Sequence, residues 1–180
     1  MLTNKIIAVA GLLFLCLAFN FAWADSLDIE ITTGAFLINP SGSDGVLLLK
    51  FDMPQNLADS QIVFAELDVP ITPVIPDSSL LMLHCNQLAI QWDPSTITWA
   101  DLGDTIGSGV IVGDGSIFAS STTETQQAYI DITELMKSWA RGDVANNGVV
   151  LFRSIENPSY FGFDLDGDSN YANVKLTYLP

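Results

Sequence analysis

Positive charge is scarce in this sequence. Six Lys and Arg stand against 21 Asp and Glu in 180 residues, for a formal net charge of −15. Phosphate backbones need a basic surface, which so few cations cannot form, so nucleic acid is excluded as a partner. Histidine occurs once, at His84, and any Ser/His/Asp triad would have to be built on it. The two cysteines, Cys16 and Cys85, belong to no C-x-x-C or Cys/His cluster, which excludes a zinc ribbon and a thioredoxin-type redox site. Linkers, repeats and low-complexity tracts are missing as well. What remains is 49% hydrophobic, a composition that folds rather than an acidic disordered tail.

The first 24 residues read differently from the rest. A polar start with Lys5 precedes an apolar run from Ile6 to Ala18, and Ala22-Trp23-Ala24 stands before Asp25. This is the pattern of a secretory signal peptide with an A-x-A cleavage site. The run is short for a bilayer span, which takes roughly 20 residues, and Leu15 before Cys16 is too large for a lipid-attachment site. The expectation is a secreted protein, extracellular or periplasmic, with a leader at 1–24 and one domain at 25–180. No membrane span is expected in that mature chain. Loss of Lys5 leaves 5 cations against 21 acids. Cys85 is then the only thiol, so no internal disulfide can form and stability must come from the core.

Along residues 25–180, short apolar segments alternate with Gly, Pro, Asn, Asp and Ser. Ile29–Thr32 and Ala35–Ile38 predict the first strands. Val46–Phe51 is apolar except for Lys50 and predicts a central strand covered on both faces. Val63, Ala65, Leu67 and Val69 alternate with Phe64, Glu66 and Asp68 as in a half-buried strand. Further strands are predicted at 80–83, 87–92, 109–112, 128–132, 148–153, 160–163 and 173–179. One helix is predicted near 132–141, where Ile132, Leu135, Met136, Trp139 and Ala140 form a single stripe. Asp131 or Thr133 can cap it, and Gly142 fits a left-handed stop. About ten strands and no βαβ alternation predict an all-β, antiparallel β-sandwich, jelly-roll-like, with that one helix.

Three stretches together resemble the DNRLRE domain family of β-sandwich modules. They are Lys50-Phe51-Asp52-Met53-Pro54 with Ile62 and Ala65-Glu66-Leu67; the paired-Trp segment Trp92 to Trp99; and Ile130-Asp131-Ile132-Thr133-Glu134-Leu135 followed by Trp139, Gly142 and Asn147-Gly148-Val149-Val150-Leu151. The resemblance covers roughly residues 46–179. It implies a non-catalytic module of exported proteins, related to some carbohydrate-binding modules, whose members bind acidic or neutral glycans or serve on cell surfaces. The expected partner is therefore a polysaccharide or cell-surface glycan. A structural envelope protein without glycan binding and a polysaccharide-active enzyme are the competing classes.

Candidate site residues follow from residue type. Trp92, Trp99 and Trp139 invite sugar stacking, but Trp139 lies on the helix stripe, and Ile97 with Trp99 alternates as inward strand residues would, so core packing is the leading expectation for all three. The aromatics better placed for a ligand are Tyr160, Phe161 and Tyr171. They flank Asp164-Leu165-Asp166-Gly167-Asp168-Ser169-Asn170, where Asp164, Asp166, Asp168 and Asn170 alternate around a glycine. Alternate oxygens on a tight turn can ligate Ca²⁺, the one cofactor considered, although the register is not that of an EF-hand. A solvated acidic hairpin turn is the leading expectation for the pattern, ahead of calcium. No residue is assigned as catalytic: His84 and Cys85 are adjacent on a strand and point to opposite faces.

Overall fold

A computed structural model describes residues 23–40, 45–73, 79–105, 111–119, 126–153, 161–163 and 172–180. Among the described residues there are nine strands: β1 (Asp25–Ile38), β2 (Gly45–Phe51), β3 (Ile62–Pro73), β4 (Ser79–Gln87), β5 (Ile111–Ala119), β6 (Gln126–Asp131), β7 (Val149–Arg153), β8 (Phe161–Phe163) and β9 (Asn173–Tyr178). All pairings are antiparallel, in the order β5-β4-β7-β2-β1-β9-β3-β6, with β8 beside the end of β3. The one α-helix among the described residues, α1 (Thr133–Arg141), follows β6 directly.

The two short first strands predicted from the sequence are the two halves of β1. Asp25–Glu30 pairs with β9, and from Ile31 onward the strand pairs with β2. The register shifts between Ile31 and Thr33, and the Thr32 hydroxyl donates to the Lys50 carbonyl at 3.1 Å. Such a bulge bends a strand and strengthens its twist. One strand therefore serves both halves, and the sheet is continuous around the core instead of being two separate layers. Its ends, β5 and β6, lie side by side, which makes the sandwich barrel-like.

Between the halves lies the main core. Ile29, Ala65, Leu67, Val69, Ala128, Ile130, Val174 and Leu176 come from one side, and Leu47, Leu49, Phe51, Leu83, Cys85, Val149 and Leu151 from the other. The helix closes one end with Leu135, Met136 and Trp139, and the Trp139 ring meets Phe51 edge-on at 5.4 Å. The cap position falls on Ile132, which offers no side-chain bond, and not on Asp131 or Thr133; Asp131 Oδ1, one residue earlier, accepts from the Thr133 N–H at 2.9 Å and the Thr133 hydroxyl at 2.6 Å. Gly142, at φ 74°, ends it, with its own N–H on the Trp139 carbonyl and the Asp143 N–H on Ser138.

A second cluster explains why β2 is apolar on both faces. Val46, Leu48, Val150 and Phe152 point away from the main core and are covered by Leu88 and Leu102, with Trp92, Ile97 and Trp99 packed around them. The cover is the segment leaving β4. The strand expected at 87–92 is absent there, and Trp99 opens a 3-10 stretch, Trp99–Thr105, kinked at Gly103. Ile97 and Trp99 do reach apolar neighbours, but from an irregular segment. In β3 the alternation slips at its start: a bulge between Ile62 and Phe64 turns Ile62 inward and leaves Val63 49% and Phe64 39% exposed.

Candidate functional site

The segment that covers the outer face of β2, β7 and β4 has a solvent side of its own. Short local bonds shape it. Asp93 Oδ1 accepts from the Ser95 N–H at 2.8 Å and from the Ser95 hydroxyl, while the Thr96 and Ile97 N–H groups close onto the Asp93 carbonyl. Eight residues after Asp93, Asp101 Oδ2 accepts from the Thr98 N–H at 2.8 Å and the Thr98 hydroxyl at 2.6 Å, and this fixes the start of the 3-10 stretch. The Trp92 indole N–H donates at 2.8 Å to the carbonyl of Asn147, 55 residues away, and holds the half-buried ring in one orientation.

These turns enclose an open depression of about 550 Å³, within the ~300–1,000 Å³ range of small-molecule sites. Ile90, Trp92 and Ile97 supply its apolar surface; Gln91, Asp93, Thr96 and Asp101 supply its polar atoms. Both carboxyls are held below the usual carboxylate range: Asp93 first by the Ser95 hydroxyl and then its N–H, Asp101 first by the Thr98 hydroxyl and then its N–H. Such bonds stabilise the charged form. The cleft thus presents an aromatic surface beside two ionised, pre-ordered acceptors.

Trp92 is anchored where the sequence stretches singled out above come together. Asn146 Nδ2 donates to the Phe51 carbonyl at 2.8 Å, and its Oδ1 accepts from the Gly148 N–H at 3.1 Å. The Gly148 carbonyl in turn accepts from Leu88 N–H at 3.0 Å. Gly148 sits at φ 89°, and a Cβ there would lie 2.3 Å from the Leu49 carbonyl oxygen. One turn therefore joins the end of β2, the Trp92 segment and the start of β7.

A different surface lies on the outer side of β1, β9, β3 and β6. Cross-strand register sets Asp28, Lys175, Glu66 and Asp131 in one row, and Glu30, Asn173, Asp68 and Tyr129 in the next. Lys175 binds Asp68 and stands 5.8 Å from the Tyr129 ring centre. Asp68 is only 6% exposed, and its Oδ1 has no protein donor. Burial, then the Asp68 charge, pushes the Glu66 carboxyl up. The hydrogen bond to Asp68, and then its charge, raise Lys175. This face is acidic, with Tyr129 51% exposed.

Of the residues chosen from sequence, Tyr160, Tyr171, Asp164, Asp166, Asp168 and Asn170 lie outside the described residues. Phe161 is placed only by its backbone, which opens β8 opposite Pro73. Trp139 is core, as expected; Trp92 and Trp99 are half-buried against the second cluster. His84 and Cys85 divide as expected, with Cys85 in the main core and His84 on the other face, its ring 5.6 Å from that of Phe152. Among the described residues no group of three or more His, Cys, Asp or Glu is arranged to hold a metal ion. Among them, too, no helix is long and apolar enough to cross a membrane. Sequence reasoning missed Asp93 and Asp101 as site residues. Their signal was the pair of turn motifs Asp93-x-Ser95 and Thr98-x-x-Asp101 beside Trp92.

Searches against family models and against curated proteins find no match to this chain.

Proposed function

We propose that this chain is an exported, non-catalytic β-sandwich module of the DNRLRE type that binds a polysaccharide or cell-surface glycan. The observation that carries the reading is the cleft at Trp92: an orientation-locked indole beside two charged acceptors is the equipment for holding a pyranose ring, whose C–H face matches an aromatic and whose hydroxyls donate. Support also comes from the way the quoted stretches meet at Asn146–Gly148, which gives their residue types a shared structural purpose. Hydrolysis by paired carboxylates needs one group protonated at working pH. Asp93 and Asp101 are both shifted the other way, which supports binding over cleavage in this cleft.

Calcium belongs to this reading through the residues from Asp164 to Asn170, on sequence pattern alone; Ca²⁺ bound there would neutralise three carboxylates in the segment flanked by Tyr160, Phe161 and Tyr171. A structural envelope role without sugar binding is favoured by the acidic face around Lys175. A glycan array and an insoluble-polysaccharide pull-down with the 25–180 protein, each with Ca²⁺ and with chelator, separate the two. Binding that falls at least about tenfold, or 1.4 kcal/mol, in Trp92→Ala while the fold persists supports the module. Silence against every glycan class from a folded protein leaves the structural role.

A further inference from the structure

From the cleft's charge and donor pattern we infer that its ligand is a neutral, hydroxyl-rich sugar unit, and that glycans built of uronic acids or sulfated sugars are rejected. This rests on the glycan-binding reading above and narrows it to one chemical class.

The polar part of the cleft consists of two carboxylates, one amide and one hydroxyl, with no Lys, Arg or His among the lining residues. A sugar carboxylate or sulfate entering it would find no cationic partner and two like charges, which costs several-fold in affinity for each close pair. Relief by protonation is not at hand, because the Ser95 and Thr98 donors hold both carboxyls in the charged form. Lys137 pairs with Glu134, Arg141 with Asp143 and Asp59, and Lys175 with Asp68, all on α1 or on the opposite half of the sheet. Lys50, on β2, is not among the residues that line the cleft. The chain's net charge of −15 adds a long-range field of the same sign.

Neutral sugars meet the opposite conditions. Ser95 and Thr98 use Asp93 Oδ1 and Asp101 Oδ2, so the other oxygen of each carboxylate is available to accept from a sugar hydroxyl. Hydrogen bonds to a charged acceptor are about twice as strong as neutral ones. Both acceptors are already ordered by their turns, so less freedom is lost on binding. The indole surface contributes without regard to charge. Affinity for a neutral glycan should therefore ignore ionic strength.

The test is affinity electrophoresis and calorimetry of the 25–180 protein against a neutral β-glucan, a neutral xylan, polygalacturonate, alginate and a sulfated galactan. Each is run at about 20 mM and about 500 mM salt, where the screening length falls from roughly 20 Å to about 4 Å, and with Ca²⁺ or chelator. The expected result is binding to a neutral polymer that is unchanged by salt and at least about tenfold tighter than to any anionic one at low salt. Equal or tighter binding of an anionic polymer, with or without Ca²⁺, overturns the inference and leaves the glycan-binding reading standing. Silence toward all five overturns both. The double variant Gln91→Lys, Thr96→Lys places two cations on the rim and leaves the Asp93 and Asp101 bonds in place. It should gain affinity for polygalacturonate at low salt and lose the gain at high salt. If the variant rejects polyuronates as before while the parent binds neutral glycan, the selecting site is not this cleft.

Discussion

Trp139 is the side chain on which the helix end of the core depends, and two substitutions there separate packing from hydrogen bonding. The residue is 7% exposed, lies in the main core with Leu135 and Met136, and meets Phe51 edge-on at 5.4 Å and 62°. Truncation of a buried Trp to Ala costs about 3–5 kcal/mol, and the edge-on ring pair accounts for roughly 0.5–1.5 kcal/mol of that. Trp139→Phe is a different experiment. It gives up about 40 Å² of apolar surface, or about 1 kcal/mol at ~25 cal/mol/Å². It also removes an indole N–H that is buried with no protein acceptor, a group whose burial costs about 1–3 kcal/mol. The two terms oppose each other, so Phe should fall within about 1.5 kcal/mol of the parent, which is tolerable against a typical total of about 5–15. Urea unfolding followed by far-UV circular dichroism, with equal m-values across the three proteins, gives the comparison directly. In a thermal scan the Ala variant should melt roughly 6–20 °C lower, from about 2–4 °C per kcal/mol in a chain of this size. An Ala variant with an unchanged midpoint would refute the core assignment. A Phe variant as damaged as Ala would show that the indole N–H is bonded and stabilising.

Three further outcomes follow from single contacts. Thr133→Val removes the oxygen that accepts from the buried Ala65 N–H at 2.9 Å, and equilibrium unfolding should show a loss of about 1–3 kcal/mol although the volume is conserved. Gly148→Ala must place its Cβ against the Leu49 carbonyl in a left-handed backbone. It should cost more than the about 1–2 kcal/mol of the conformation alone, and it should shift the tryptophan emission by loosening the Trp92–Asn147 bond. Glu66→Gln tests the acidic face. Burial, Asp68 and Asp131 raise the Glu66 carboxyl against the opposing pull of Lys175, so the folded state holds that proton more tightly than the unfolded chain does. Its contribution is then most favourable in acid and is lost as pH rises through the folded value. The variant should melt higher than the parent at pH 7, with the gain shrinking toward pH 4; a constant difference across that range counts against the argument. Asp93 and Asp101 have the opposite sign, contributing above the ordinary carboxylate range and losing that contribution as pH falls through their lowered values.

The local pattern was sufficient for most of the elements, though not at 87–92, where the expected strand is absent. Alternation in Ala65, Leu67 and Val69 and in Val174 and Leu176 marks strands with one face inward, and the stripe of Leu135, Met136 and Trp139 with Gly142 behind it marks the helix and its stop. Each of these is a short-range property: side-chain period and caps are set within a few residues. The doubly apolar run Val46–Phe51 likewise announced that both faces of β2 are covered. It could not say by what. The cover is an irregular segment, 88–102, that satisfies its carboxylates in its own turns and is pinned by a bond from Trp92 to a carbonyl 55 residues away. That same segment looks like an alternating strand at Ile97 and Trp99, because a period of two over three residues does not distinguish a strand from a loop laid across an apolar surface. The bend that lets β1 serve both halves depends on its pairing with β2 and β9, and the inward turn of Ile62 on a bulge against β9. The cleft exists only because these long-range pairings bring a loop across a sheet face. Sequence periodicity determined which residues leave water, and tertiary pairing decided what covers them and where an aromatic ring stays within reach of a ligand.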